Sequence, residues 1–293
     1  MTDTRKIISK AIMLALKKSL VNVSKDEEPQ LVANLVWHIP AEIKAIAGLQ
    51  IKSAGVFIHQ TPKVRSNTFK KHKSVELGDL LLLRCDKKGG QSRALLLQAK
   101  RVDGIPTTPD NADQHFLYGR QPRFEYVHKP LERKFRKITG LSAYDGCQYL
   151  LINKSQGVCG HSIWVAHPSL PQLSYYCNFS KVLVDFILGF AGREYSRKPR
   201  VNGKNWDMVI DDLVRHVPPK GSSEMSRASI NNINTRGVFF CGSIDLFSIQ
   251  DNDSLYIRSI QDLPKDIHRS ADKYDETIPI GISIIKFVVD NNL

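Results

Sequence analysis

The stretch from residue 75 to residue 101, VELGDLLLLRCDKKGGQSRALLLQAKR, constrains the fold of this chain more than any other. Two apolar runs, residues 80–83 and 94–97, flank a polar segment that carries Gly89 and Gly90. Apolar runs on either side of a glycine-bearing turn predict a β-hairpin with buried strands. Polar groups stand at its two outer ends, Asp79 entering the first strand and Gln98 and Lys100 leaving the second. The start of one antiparallel strand lies beside the end of its partner, so the hairpin brings Asp79 next to Gln98 and Lys100. Side chains at i and i+2 share a face, so Gln98 and Lys100 point one way and Ala99 the other.

A carboxylate, a second oxygen donor and a lysine at one sheet edge is the equipment of metal-dependent phosphodiester cleavage. The carboxylate and the amide oxygen hold a hard cation such as magnesium or manganese. The cation polarises the phosphate and acidifies a bound water, while the ammonium orients that water or neutralises charge on phosphorus. The segments Gly78-Asp79 and Gln98-Ala99-Lys100 resemble the signature of the PD-(D/E)xK nuclease superfamily, an acidic residue on one strand and (D/E)xK on the next. Gly78 stands where the signature has proline, a position without chemistry of its own. Gln98 stands where Asp or Glu is usual, and a neutral amide binds a divalent ion less strongly, so a further acidic ligand gains importance.

The resemblance implies a restriction-endonuclease-like core, DNA as substrate in preference to RNA, and a glutamate supplied by an N-terminal helix. Glu28 is the first choice for that auxiliary acid and Glu27 the second, with Glu76, three residues before Asp79, as an extra ligand. The ELGDLLL and LLLQAKR segments are also similar to those of a bacterial family, which implies no activity beyond the motif. Stand-alone nucleases of this kind often serve restriction or anti-phage systems, so defence-system proteins are candidate partners. A homodimer is compatible with cutting both strands. The contrary reading is a buried hairpin in which Asp79 caps a strand and Lys100 ends one.

Lys and Arg outnumber Asp and Glu by 42 to 29, a net charge of +13 that favours an anionic partner such as nucleic acid. The five cysteines contain no CxxC pair, which argues against a disulfide framework or a zinc knuckle and for reduced thiols in a cytoplasmic protein. No run of eighteen apolar residues is present, so no membrane span is expected. Residues 5–20 read as an amphipathic helix rather than a secretory signal.

A second helix is expected from about residue 29 to 47, entered through Asp26, Glu27 and Glu28, with Pro40 kinking or dividing it. Residues 54–60 read as a strand. The loop that follows, residues 62–73, carries Lys63, Arg65, Lys70, Lys71 and Lys73, placed where a phosphate backbone would enter. Residues 114–126 interleave aromatics with Arg120 and Arg123; they could stack bases, or form a short helix and strand covering the sheet. Residues 129–139 read as a basic helix ended by Gly140.

Strands are expected at 147–153 and 161–167, and a buried helix at 179–190, ending at Gly192. Residues 193–204 read as a second exposed basic loop with Arg193, Arg197, Lys198 and Arg200 gripping the backbone. An amphipathic helix at 205–216 and strands at 238–249 and 278–289 complete the chain. No Walker A loop, GxSxG elbow, GxGxxG fingerprint or clustered histidine motif is present.

The fold class expected is α/β, a central mixed sheet flanked by helices. Residues 1–192 would form the nuclease core and 193–293 an elaboration returning to the same sheet, with one single domain as the alternative. The function expected is a magnesium-dependent endonuclease using Asp79, Gln98 and Glu28 as metal ligands and Lys100 beside the attacking water. Its rival is a nucleic-acid-binding or scaffold protein on the same fold, with catalysis lost at Gln98.

Overall fold

The computed structural model describes residues 2–20, 28–46, 48–58, 62–71, 73–87, 91–102, 108–128, 131–138, 146–153, 163–196, 205–215, 222–224, 238–242 and 282–290. In chain order the elements are α1 (Thr2–Leu20), α2 (Glu28–Lys44), β1 (Ile51–Ile58), β2 (Lys63–Arg65), β3 (Val75–Glu76), β4 (Leu80–Asp86), β5 (Ser92–Val102) and α3 (Ala112–Arg120). There follow β6 (Phe124–Tyr126), β7 (Phe135–Arg136), β8 (Cys147–Asn153), β9 (Ile163–His167), β10 (Ser174–Asn178), α4 (Phe179–Leu188) and β11 (Arg193–Tyr195). The last are α5 (Asn205–Arg215), β12 (Ser222–Glu224), β13 (Val238–Gly242) and β14 (Ser283–Val289).

The expected α/β class, a mixed central sheet flanked by helices, is what the chain adopts. Among the described residues ten strands form that sheet, in the order β10-β9-β8-β5-β4-β14-β1-β13-β12, with β11 pairing one end of β5. The β4–β5 hairpin has the expected register, Leu80 opposite Leu97 and Leu83 opposite Ala94. On its far edge β5 runs parallel to β8, and parallel neighbours need a crossover, which here contains α3. The C-terminal strand β14 lies between β4 and β1, parallel to one and antiparallel to the other. The last strand of the chain therefore completes the middle of the sheet.

Period-two alternation sorts the hairpin into two cores. Leu80, Leu82, Leu95, Leu97 and Ala99 face α1, α2 and α4. Leu81, Leu83, Ala94 and Leu96 face α3, α5 and a small antiparallel sheet, ordered β3-β2-β6-β7. Both faces of the hairpin are covered, which is why its strands read as continuous apolar runs rather than alternating ones.

Of the two alternatives for Pro40, division is not taken: α2 runs from Glu28 to Lys44 with Pro40 inside it. Burial of Leu35, Val36, Ile39 and Ile43 in the core outweighs the one lost backbone hydrogen bond. The basic stretch around Arg133 forms a hairpin strand rather than a helix: Arg133 adopts φ 67, and its N–H and the Lys134 carbonyl both bond to Tyr126. Finally, α4 ends at Gly189 rather than Gly192, the left-handed φ of 88 there closing the helix. No described helix is long and apolar enough to cross a membrane.

Candidate active site

Asp79 lies just before β4, and its backbone N–H extends the hairpin ladder to the Leu97 carbonyl at 2.9 Å. The same register carries its carboxylate over the far end of β5. There Asp79 Oδ2 accepts from the Ala99 N–H at 2.7 Å and from the Gln98 side-chain amide. Gln98 Oε1 in turn accepts from Gln114 Nε2 at 2.6 Å, and Gln114 Nε2 also reaches the Glu76 carbonyl at 3.2 Å. A backbone carbonyl can only accept and a backbone N–H can only donate. The Glu76 carbonyl therefore fixes the Gln114 amide, Gln114 fixes Gln98, and Gln98 presents its NH2 to Asp79. Gln98 is fully buried and Gln114 is 2% exposed.

The acidic groups converge from three elements. Glu76 ends β3, and Glu28 opens α2. The Glu28 carboxylate accepts from the Arg101 N–H at 2.9 Å and stands 3.9 Å from the Lys100 ammonium. Burial, and next the Glu76 carboxylate, push Asp79 from 3.8 up to about 8. Lys100 and the Ala99 N–H pull against that shift, and Glu28 adds a smaller push. A carboxyl held protonated near neutrality by burial and like charges is a candidate for a functional group.

The residue pair sequence reading missed is Gln114 and Tyr118, spaced i, i+4 on one face of α3. Asn111 caps that helix, accepting from the Asp113 and Gln114 N–H groups, a contribution of about 1 kcal/mol. Tyr118 is fully buried and donates to the Leu77 carbonyl at 2.8 Å. A Cβ on Gly78 would stand 2.7 Å from Leu96 Cδ1 and 2.9 Å from Tyr118 Oη. Gly78 is thus required for packing, a role its lack of chemistry did not suggest. The signal was there in an N-capping Asn followed by polar and aromatic side chains on one helical stripe. The segment takes the second of its two alternatives, a short helix and strand covering the sheet, with Tyr118, Phe124 and Tyr126 in the core.

The basic residues divide. Lys63, Arg65, Lys70, Lys71 and Lys73 are exposed. Lys63 and Arg65 lie in β2 rather than in a loop, and the backbone that follows is held to α3 by the Asp113 carboxylate, which accepts from the Lys70 and Lys71 N–H groups, each at 2.8 Å. Arg193 is corrected: it sits in β11 rather than in a loop, is 8% exposed, and lies over the Trp206 ring at 5.4 Å. A guanidinium so placed does not face a phosphate backbone. Arg197, Lys198, Arg200 and Glu27 lie outside the described residues.

The donor set suits a hard cation. Asp79 Oδ1 stands outside the chain of amide bonds, and Glu76 and Glu28 add carboxylate oxygens nearby. Among the described residues no three His, Cys, Asp or Glu side chains are grouped as a metal cage. Magnesium does not need one, being commonly held by one or two carboxylates, water and substrate phosphate. Gln98 departs from the expected ligand role in this arrangement, since its oxygen is engaged by Gln114 and its nitrogen faces Asp79.

Comparison with family models, curated proteins and solved structures found no match to this chain.

Proposed function

We propose that the chain is a metal-dependent endonuclease with a restriction-endonuclease-like core, cleaving phosphodiester bonds, with DNA preferred over RNA as substrate. The observation that carries the reading is the under-compensated acidic cluster at the open end of the hairpin, where Asp79 is pushed up to about 8 and Lys100 is the nearby cation opposing that shift. Asp79 and Glu76 would hold magnesium or manganese, which supplies charge neutralisation and an acidified water when bound. Lys100, steadied by Glu28, orients the attacking water and offsets charge on the phosphate. Gln98 and Gln114 lock the Asp79 carboxylate in place, and the exposed Lys63, Arg65, Lys70, Lys71 and Lys73 draw in the backbone electrostatically. A restriction or anti-phage setting, with partner proteins of such a system, is part of the same proposal.

A second reading, a nucleic-acid-binding scaffold without catalysis, is favoured by one observation: Gln98 spends both ends of its amide within the protein. The deciding experiment incubates the protein with plasmid, single-stranded DNA and RNA, in magnesium, manganese or EDTA. The parent should cut only with metal, and Asp79→Ala and Lys100→Ala should each lose about 10²–10³-fold or more of that activity while keeping salt-sensitive binding. Binding without cutting by the parent would sink the enzyme reading and leave the scaffold.

A further inference from the structure

We propose that the outer face of the β3-β2-β6-β7 sheet is a stacking platform for single-stranded nucleic acid, with Phe135 as the ring against which an unpaired base lies. The inference goes beyond the cleavage chemistry and shares only Lys63 with the basic residues assigned to it.

Register defines the face. Lys63 pairs with Glu76, and Arg65, Glu125 and Phe135 stand in one cross-strand row. The alternate positions Val64, Phe124 and Tyr126 point into the core, so this row faces outward. Phe135 is 51% exposed although the Arg123 guanidinium carbon lies 4.4 Å from its ring centroid. A single exposed phenylalanine is ordinary. One on a flat sheet with a guanidinium laid against its ring is a planar, cationic surface of the kind that stacks bases.

The charge around it fits a polyanion. Lys63, Arg123, Arg133 and Lys137 are exposed on or beside this sheet. Of the acids on or beside it, Glu76 stands opposite Lys63, Glu125 is ion-paired to Arg65, and Glu132 is exposed. A single strand suits the surface better than a duplex, whose bases already stack on both faces; base–aromatic stacking requires a splayed base. The platform is also continuous with the acidic site. Its first strand ends in Glu76, which acts on Asp79, and three inter-strand steps, about 14 Å, separate that strand from the one carrying Phe135. A strand a few nucleotides long would span from ring to carboxylates.

The test is fluorescence anisotropy with labelled oligothymidylate, oligouridylate and a matched duplex, in EDTA so that nothing is cut. Phe135→Ala should weaken single-strand binding about tenfold, leave duplex binding unchanged, and keep the parent's thermal stability because the ring is exposed. Phe135→Trp should retain or tighten binding. Tight binding of either oligonucleotide supports the platform, and their ratio separates DNA from RNA. Failure of the parent to bind a single strand, no loss on Phe135→Ala, or equal losses for strand and duplex would each overturn it. The platform is read from binding in EDTA and the nuclease from metal-dependent cutting, so a failed nuclease reading and a failed platform give different results.

Discussion

The two ends of the β4–β5 hairpin both bury charge, and they treat it in opposite ways. Near the turn, Arg84 donates to the Ile187 carbonyl at 2.9 Å and to the Gln91 carbonyl at 3.2 Å; burial lowers its pKa, with Asp86 opposing that shift and Arg93 adding to it. Arg93 beside it donates to the Gly192 carbonyl at 2.8 Å and to Glu194 at 2.9 Å. Charge at that end is met by carbonyls and opposite charge, so it serves the fold. At the open end Asp79 faces two further carboxylates, with Lys100 as the cation set against them. That imbalance costs stability, and proteins keep such costs where chemistry or ligand binding recovers them.

The largest effect should come from making the open end still more acidic. Gln98→Glu replaces the NH2 facing Asp79 with a second carboxylate, which in EDTA at pH 8 should cost about 3–5 kcal/mol. Millimolar magnesium should restore much of that stability, read as a rise in melting temperature. A loss that magnesium leaves untouched would show that the end is not built for a cation.

Disturbing the turn end should behave differently. Arg84→Ala removes charged hydrogen bonds to two carbonyls, worth about 2–3 kcal/mol by chemical denaturation, and the loss should be indifferent to magnesium.

The pH dependence of the metal-free protein separates the ends further. The folded-state pKa of Asp79 is raised, so the folded protein holds a proton that the unfolded chain has released. Stability should therefore fall as pH climbs from about 4 toward 8. Asp79→Asn should flatten that slope, and Arg84→Ala should leave it in place. An unchanged slope in Asp79→Asn would remove the electrostatic distinction between the two ends. Smallest is Gly78→Ala, expected to cost about 1–2 kcal/mol by crowding Leu96 and Tyr118; under the proposed nuclease function, displacement of Asp79 should lower cutting more than stability.

The hairpin, its register and the meeting of Asp79 with Gln98 and Lys100 were legible because strand pairing and period two are local rules acting on two unusually apolar runs. Glu28 could be anticipated as an acidic helix entry, and the structure brings its carboxylate to Lys100. Other features were hidden. The strand character of Phe135 depends on a left-handed Arg133 and on pairing with β6, neither of which composition marks. Arg193 looked like one more loop cation because burial over Trp206 leaves no trace in a basic stretch. Pro40 suggested a kink or a division because its local cost is visible in sequence, whereas the core burial that keeps the helix undivided is not.

What the sequence determined by itself is the α/β class, the buried hairpin and the identity of the three polar residues at its open end. These follow from periodicity and turn chemistry over short distances. The tertiary structure decided the rest: that β14 enters the middle of the sheet, that Gln114 dictates which way the Gln98 amide faces, and that burial, and next Glu76, raise the Asp79 pKa. The orientation of a side-chain amide and the ionisation of a carboxyl are set by whichever groups surround them in space. Those groups come from segments whose proximity no local pattern encodes.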